Sequence, residues 1–322
     1  MKALTFEKFG GPEVLQYRDV PDPLERSGCV IVTMKAVGLN YADIYRRKGN
    51  YHLSGQPPFI AGYEGAGVIE WVADDVQGYQ AGDRVGFADV PYANAEKVLV
   101  PADHLIPLPE GISFATAAAS LLQGLTAHYL CTDSYRVKAG DDVLVHAAAG
   151  GVGSLLTQMI RFQGGNVFGL TSNEEKRSAI LSSGVEHCAL YSESWVQKAV
   201  DCSRSGEGMD AAFDSVGSTL AESFASVRPK GTVVFYGMAG GDPQPVDPRM
   251  LMDTSKTLTG GDLWSYLTSH EERVKRAGIL FQWILDENLK ITEPVCYALA
   301  EGKEAHLYLE SRKSTGKILL IP

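Results

Sequence analysis

The sequence predicts an α/β protein: a doubly wound parallel sheet with helices on both faces, joined to a β-rich domain drawn from both ends of the chain. Three observations carry this. From about residue 124 apolar strand patterns alternate with helical ones, the rhythm of a parallel sheet wound by crossover helices. A cluster of small residues, Ala148 to Gly153, sits between a short apolar run and a helix start. The first third and the last thirty residues read as short strands broken by turns.

Taken in order, candidate strands fall at 2–6, 14–20, 29–37, 66–73, 84–87 and 97–100, punctuated by Gly10-Gly11-Pro12, Pro21-Asp22-Pro23 and Gln56-Pro57-Pro58. The alanine-rich stretch 113–130 is helical and small enough to act as a buried spacer between domains. Strand 143–147 then leads to helix 153–163, strand 166–170 to helix 174–183, strand 188–191 to helix 193–203, and strand 209–213 to helix 218–227, with strand 232–236 following. Strand 257–261 and an amphipathic helix, 268–287, close this sheet. Residues 291–321 return to short strands ending in Lys317-Ile318-Leu319-Leu320-Ile321, which rejoin the N-terminal domain. The expected domains are therefore 1–123 with 290–322, and 124–289.

The chain has 322 residues, 45% of them hydrophobic, enough for two cores. A net charge of −10 argues against non-specific binding to nucleic acid or an anionic membrane. No leader or membrane-spanning run is visible, so a cytoplasmic location is expected. The five cysteines are scattered and lack C-x-x-C spacing, and the seven histidines form no H-x-x-x-H pair. That pattern fits reduced thiols and offers no metal site.

The chemistry concentrates between Gly140 and Arg161. Val143, Leu144 and Val145 form a buried strand, and Ala148, Gly150 and Gly153 fill the three small-residue positions of a G-x-G-x-x-G turn. At the second position a side chain would keep a pyrophosphate from the backbone; at the third it would hold helix and strand apart. The following helix aims free N–H groups and its positive end at the phosphates. A dinucleotide is the expected ligand. The second strand ends in Gly169-Leu170-Thr171-Ser172-Asn173 with no acid to take a ribose 2′-hydroxyl, and Lys176 follows one turn on. A hydroxyl and an ammonium there suit a 2′-phosphate and hence NADPH. Ser172 or Asn173 capping the helix, with Lys176 solvated, fits the same residues, and Glu174 and Glu175 weaken attraction for a dianion.

The arrangement resembles the medium-chain dehydrogenase/reductase superfamily, in which a GroES-like β domain is interrupted by a Rossmann domain. It is most similar there to the zinc-free quinone oxidoreductase, or zeta-crystallin, branch. Gly140, Asp141, Leu144, Ala148, Ala149, Gly150, Gly151, Gly153, Gln158 and Arg161 match that branch's signature, supported by GLNYADIYRRKGNY at 38–51, GYEGAGVI at 62–69, GLTAHY at 124–129, FDSVG at 213–217 and LESRKSTGKILLIP at 309–322. Zinc-dependent members carry a cysteine where this chain has Asn40 and Gly-His-Glu where it has Gly62-Tyr63-Glu64. An amide and a phenol are poor zinc ligands, so the resemblance implies reduction of an already polarised acceptor without a metal.

The resemblance also implies cofactor contacts along Ala149, Gly150, Gly151, Val152 and Gly153, with Ser172, Lys176 and Tyr191 around the 2′-phosphate. Asn40, Tyr45 and Thr126 would meet the nicotinamide end, Tyr236, Gly237 and Met238 would flank the cofactor, and Arg312 would meet its phosphates. A structural role for Tyr45, Thr126 or Arg312 stands beside that reading. Asp214 either faces ligand at a strand end or only fixes a turn. Asn40, Tyr45, Tyr51 and Tyr63 are the candidate catalytic residues, the tyrosines as aromatic walls and hydroxyls for a planar acceptor in a cleft between the domains. The expected activity is quinone reduction by NADPH. The alternatives are reduction of the C=C bond of 2-alkenals or enones, and a non-enzymatic, crystallin-like or RNA-associated NADPH binder. A homodimer paired through strand 257–261 is expected.

Overall fold

The computed structural model describes every residue, Met1–Pro322. The chain divides into two units, Met1–Leu125 with Leu267–Pro322, and Thr126–Tyr266.

The first unit is built on β3 (Cys29–Leu39), reached through β1 (Lys2–Phe6) and β2 (Gln16–Asp19). Helix α1 (Tyr41–Lys48), β4 (Phe59–Ile60), β5 (Gly65–Val72), β6 (Arg84–Phe87), β7 (Lys97–Pro101), β8 (Ile106–Pro107) and helix α2 (Phe114–Tyr129) follow. Strand β3 is buried along almost its whole length, as its run of Val, Ile, Met and Leu requires. It pairs antiparallel with both β5 and β7. Val30, Val32, Ile69, Val85, Phe87 and Val100 form the apolar core around it, each worth about 1.5–3 kcal/mol when fully buried.

The second unit contains β9 (Asp142–Val145), α3 (Gly151–Phe162), β10 (Asn166–Thr171), α4 (Glu174–Ser182), β11 (His187–Leu190), α5 (Trp195–Cys202), β12 (Met209–Asp214), α6 (Leu220–Ser226), β13 (Val227–Phe235), α7 (Pro248–Thr254) and β14 (Thr257–Gly260). The strands are parallel in the order β11-β10-β9-β12-β13-β14. The order reverses between β9 and β12, the switch point where doubly wound sheets bind ligands at strand C-termini.

The chain then returns to the first unit with α8 (His270–Leu285), β15 (Val295–Ala298), α9 (Gly302–Glu310) and β16 (Ile318–Ile321). Strand β16 lies antiparallel on β3, with Ile318 opposite Leu39, which sets Lys317 beside Asn40.

The structure departs from the sequence expectation at four elements. Helix α8, expected to close the parallel sheet, belongs with the β-rich unit: Arg273 donates to the buried Asp89 carboxylate at 2.6 Å, and Leu280 packs where Gly124 leaves room for it. The strand expected at 14–20 is shortened to Gln16–Asp19, because Pro12 sets a helical φ and Pro12–Val14 form a 3₁₀ turn that ends at its first residue. Helix α1 stands where no element was expected: the Asp43 carboxylate accepts from the Asn40 backbone N–H at 2.9 Å, and Gly49 ends the helix with φ +80°. Helix α9 interrupts the expected run of strands, burying Ala305, His306 and Leu309.

Candidate active site

In the second unit the site is a backbone construction at the C-terminal ends of β9, β10, β12 and β13. Helix α3 starts at Gly151 with Gly150 as an extended N-cap and no side chain capping it, so its first N–H groups are available to an anion. Gly153 is obligatory by packing: a Cβ there would lie 2.2 Å from the Ala147 carbonyl oxygen. This is the close helix–strand approach expected of the third small residue. Ala148, in the first position, is buried and donates to Leu170 O at 2.9 Å. Val152, like Ala149 and Gly151, is half-buried around the turn.

The end of β10 carries no carboxylate on the strand. Asn173 caps α4, its side-chain oxygen accepting from Lys176 N at 2.9 Å, so the capping alternative holds for Asn173. Ser172 is exposed, and the Lys176 side chain lies largely buried on the same turn. Burial lowers the affinity of the Lys176 amine for its proton, with Glu175 opposing. An incoming phosphate would restore it.

Behind the turn lies a buried relay that sequence reasoning did not identify. The Asp214 carboxylate accepts from Val216 N and Gly217 N through one oxygen, and from Thr219 and Ser223 hydroxyls through the other, at 2.7–3.0 Å. Asp214 therefore fixes the turn after β12. Ser223 Oγ also meets His146 Nε2 at 2.9 Å. Since the Ser223 hydroxyl donates to the carboxylate, His146 donates from Nε2, leaving Nδ1 as an acceptor for the Tyr191 hydroxyl at 3.3 Å. Burial lowers the His146 pKa, against the pull of Asp214, keeping the ring neutral. The Tyr191 hydroxyl accepts in turn from Ala147 N at 2.9 Å, at the turn residue with φ +48°. Tyr191 thus holds the turn that opens α3.

Tyr236, Gly237 and Met238 follow β13, where Tyr236 N donates to Asp214 O at 2.9 Å. A Cβ on Gly237 would sit 3.0 Å from Ser215 O, and Ala239 N donates to Ser215 O at 3.1 Å, so the two loops beside the switch point are packed on each other. Thr126, on the last turn of α2, is buried.

In the first unit a charged cluster closes the ends of β3, β5 and β16. Asn40, Glu64 and Lys317 are all buried. Lys317 Nζ lies 2.5 Å from Glu64 Oε2 and 2.8 Å from Asn40 Oδ1, and Asn40 Nδ2 donates to Glu64 Oε2 at 2.8 Å. Glu64 Oε1 accepts from Leu122 N at 2.6 Å. Gly38 allows this approach, for a Cβ there would lie 2.2 Å from Glu64 Oε2 and 2.5 Å from Ala118 O. Sequence reasoning singled out Asn40 but neither Glu64 nor Lys317. For Lys317 the signal was a charge directly abutting the fully apolar strand β16; Glu64 precedes β5, which carries a charge of its own at Glu70, and gave no such signal.

Of the tyrosines, Tyr45 is on α1, Tyr51 follows that helix, and Tyr63 lies between β4 and β5, next to Glu64 in sequence. Tyr45 and Tyr51 are half-buried and meet edge to face at 6.1 Å. Tyr63 is buried: its hydroxyl accepts from Ser54 N at 3.2 Å, and the Arg46 guanidinium lies 3.4 Å from its ring centre and 5.1 Å from that of Tyr51. Arg46 donates to Asp43 at 3.2 Å. Arg312 is exposed beyond α9, with φ +59°.

An ordered parallel sheet with a glycine turn at its switch point, interrupting a β-rich unit, defines a two-unit nucleotide-dependent oxidoreductase architecture. The comparisons agree. Residues 26–110 match the alcohol dehydrogenase GroES-like domain, and residues 151–275 match the zinc-binding dehydrogenase family. A probable quinone oxidoreductase of Schizosaccharomyces pombe is 39% identical, over 98% of this chain and 95% of its own. A 2-haloacrylate reductase of a Burkholderia species is 33% identical, over 99% and 98%. The structure of Escherichia coli quinone oxidoreductase complexed with NADPH superposes with a TM-score of 0.95 at 33% identity, covering both chains entirely. The chain belongs to the medium-chain dehydrogenase/reductase superfamily, in its quinone oxidoreductase branch.

The zinc in one family's name does not fit the residues present. Asn40 and Tyr63 supply an amide and a phenol, and the Glu64 carboxylate already holds an ammonium at 2.5 Å. No three His, Cys, Asp or Glu side chains come together in this chain as a metal-binding group.

Proposed function

We propose that this protein reduces quinones with NADPH. The observation that carries the cofactor choice is the end of β10, where Thr171, Ser172 and Asn173 put no carboxylate on the strand and the Lys176 side chain lies on the turn just behind. When bound, NADPH supplies the hydride. The chain's own residues bind and orient. The amides of Gly151 to Gly153 take the pyrophosphate, Ser172 and Lys176 take the 2′-phosphate, and Tyr191 keeps the turn in shape through Ala147 N. Asn40, Thr126, Tyr236, Gly237, Met238 and Arg312 are assigned as further cofactor contacts on the strength of the family resemblance.

Tyr45 and Tyr51 provide aromatic surface for a flat acceptor, with Arg46 fixing the orientation of the Tyr51 ring. The Tyr63 ring packs against the same Arg46 guanidinium. Beyond the hydride a quinone needs one proton to become the hydroquinone, and water can give it, so no side chain is required as an acid.

A second reading is supported by the full-length likeness to a 2-haloacrylate reductase: reduction of a conjugated carbon–carbon double bond. Steady-state turnover with both reduced nicotinamides and a panel of benzoquinones, naphthoquinones and 2-alkenals separates the two. We expect kcat/KM at least tenfold higher with NADPH than NADH, and quinones to outrun 2-alkenals. Faster alkenals would establish the second reading, and a preference for NADH would refute the cofactor assignment.

We further assign a cytoplasmic location and a homodimer. The five cysteines are all free thiols, and no helix is long and apolar enough to cross a membrane. Strand β14 is the last strand of its sheet and offers an open edge to a second copy.

A further inference from the structure

Asn40 Oδ1 accepts from Lys317 Nζ at 2.8 Å and from Gln123 Nε2 at 3.3 Å, while Nδ2 donates to Glu64 Oε2 at 2.8 Å and to Gly38 O at 3.3 Å. An ammonium only donates and a carboxylate only accepts, so these two partners fix which way the amide faces. The amide is thus held by groups from β3, from the turn before β5 and from the residue before β16, which strand register sets side by side, and by Gln123 from α2. Asn40 is also the residue from which α1 starts, and α1 carries Tyr45.

We propose that Lys317 is a positioning residue for the reaction, acting through Asn40: its ammonium sets the orientation of the Asn40 amide and, with Glu64, anchors the start of α1. This rests on the reductase reading above, in which Asn40 meets the cofactor. It makes Lys317 more than a counter-ion for Glu64.

The two roles part in a double substitution. Lys317→Met leaves Glu64 buried without its cation, so both stability and turnover should fall. Lys317→Met/Glu64→Gln removes both charges and keeps an acceptor for Leu122 N. Thermal unfolding and steady-state kinetics with NADPH and a benzoquinone are to be measured for wild type and both variants. In the double variant the melting temperature should return towards wild type, with kcat staying at least tenfold low and KM for NADPH within twofold. Wild-type kcat in the double variant would reduce Lys317 to a counter-ion and overturn the proposal.

The Asn40 side-chain amide signal in ¹⁵N-asparagine-labelled protein, assigned by its loss in Asn40→Ala, gives a readout independent of turnover. It should shift or broaden in both lysine variants. An unchanged signal overturns the proposal even if the wild type reduces no quinone, a result that would defeat the reductase reading instead.

Discussion

Each unit hides one polar network beside its candidate site, and the two are built on opposite principles. In the first unit the full charges of Lys317 and Glu64, bridged by the Asn40 amide, join four segments of chain that are far apart in sequence. In the second, His146, Ser223, Thr219 and Tyr191 are neutral groups around the single carboxylate of Asp214, and most of what they hold is backbone near the strand ends. A buried ion pair adds little net stability against an apolar substitute, yet losing one partner strands the other charge. A neutral hydrogen-bond relay loses less when one member is removed, because only desolvation of polar groups is left uncompensated. The first network should therefore behave as an all-or-none joint, the second as a graded one.

The sharpest test of that contrast is Glu64→Ala. It leaves the Lys317 ammonium buried with Asn40 Oδ1 and removes the acceptor for Leu122 N. The expected cost is about 3–5 kcal/mol, read as a lowered denaturant midpoint with an unchanged m-value. A loss below about 1 kcal/mol would mean that water reaches Lys317 and that the joint is not all-or-none.

Ser223→Ala is the matching change in the second unit. Asp214 Oδ2 keeps Thr219, while His146 Nε2 loses its acceptor. We expect about 1–3 kcal/mol by the same measurement. A cost equal to that of Glu64→Ala would erase the distinction between the two networks.

The same contrast explains what was legible in the sequence. The second unit's site is local: Ala148, Gly150 and Gly153 stand within six residues between a strand and a helix, and their spacing states their purpose. The ligand end of the sheet follows once the strand–helix alternation is read; the strand order does not. The first unit's joint is not local. Nothing near Lys317 says that β16 will pair with β3 in the register that sets Ile318 opposite Leu39. Nothing near Glu64 says that Leu122 will be its donor. Helix α1 was also hidden, because three of its eight residues, Asp43, Arg46 and Arg47, are charged and yet buried: Asp43 and Arg46 pair within the helix, while Arg46 also needs His52 O and Arg47 needs Glu310. Helix α8 has an evident apolar face, yet the pattern does not reveal which sheet that face covers. The ion pair of Arg273 with Asp89 decides it.

A third buried group refines the comparison, since it places a neutral ring directly against a charge. His306 on α9 is fully buried, and its Nδ1 lies 2.9 Å from Arg47 Nη1. A guanidinium can only donate, so Nδ1 must accept and the ring must stay neutral. Burial first, and Arg47 second, push the His306 pKa down to about 3. In the unfolded chain it returns to about 6.5. Below that value the unfolded state binds a proton that the folded state refuses, so the stability this neutral ring contributes is complete above pH 6.5 and is lost as pH falls towards 3. The slope reaches about 1.4 kcal/mol per pH unit. His306→Asn keeps an acceptor for Arg47 and cannot titrate. Its unfolding free energy between pH 6 and pH 4 should fall less steeply than that of the wild type by close to one proton. His146 contributes a slope of the same sign, but it is present in both proteins and cancels in the difference. Equal slopes would mean that His306 takes its proton in the folded state and that Arg47 moves away to allow it.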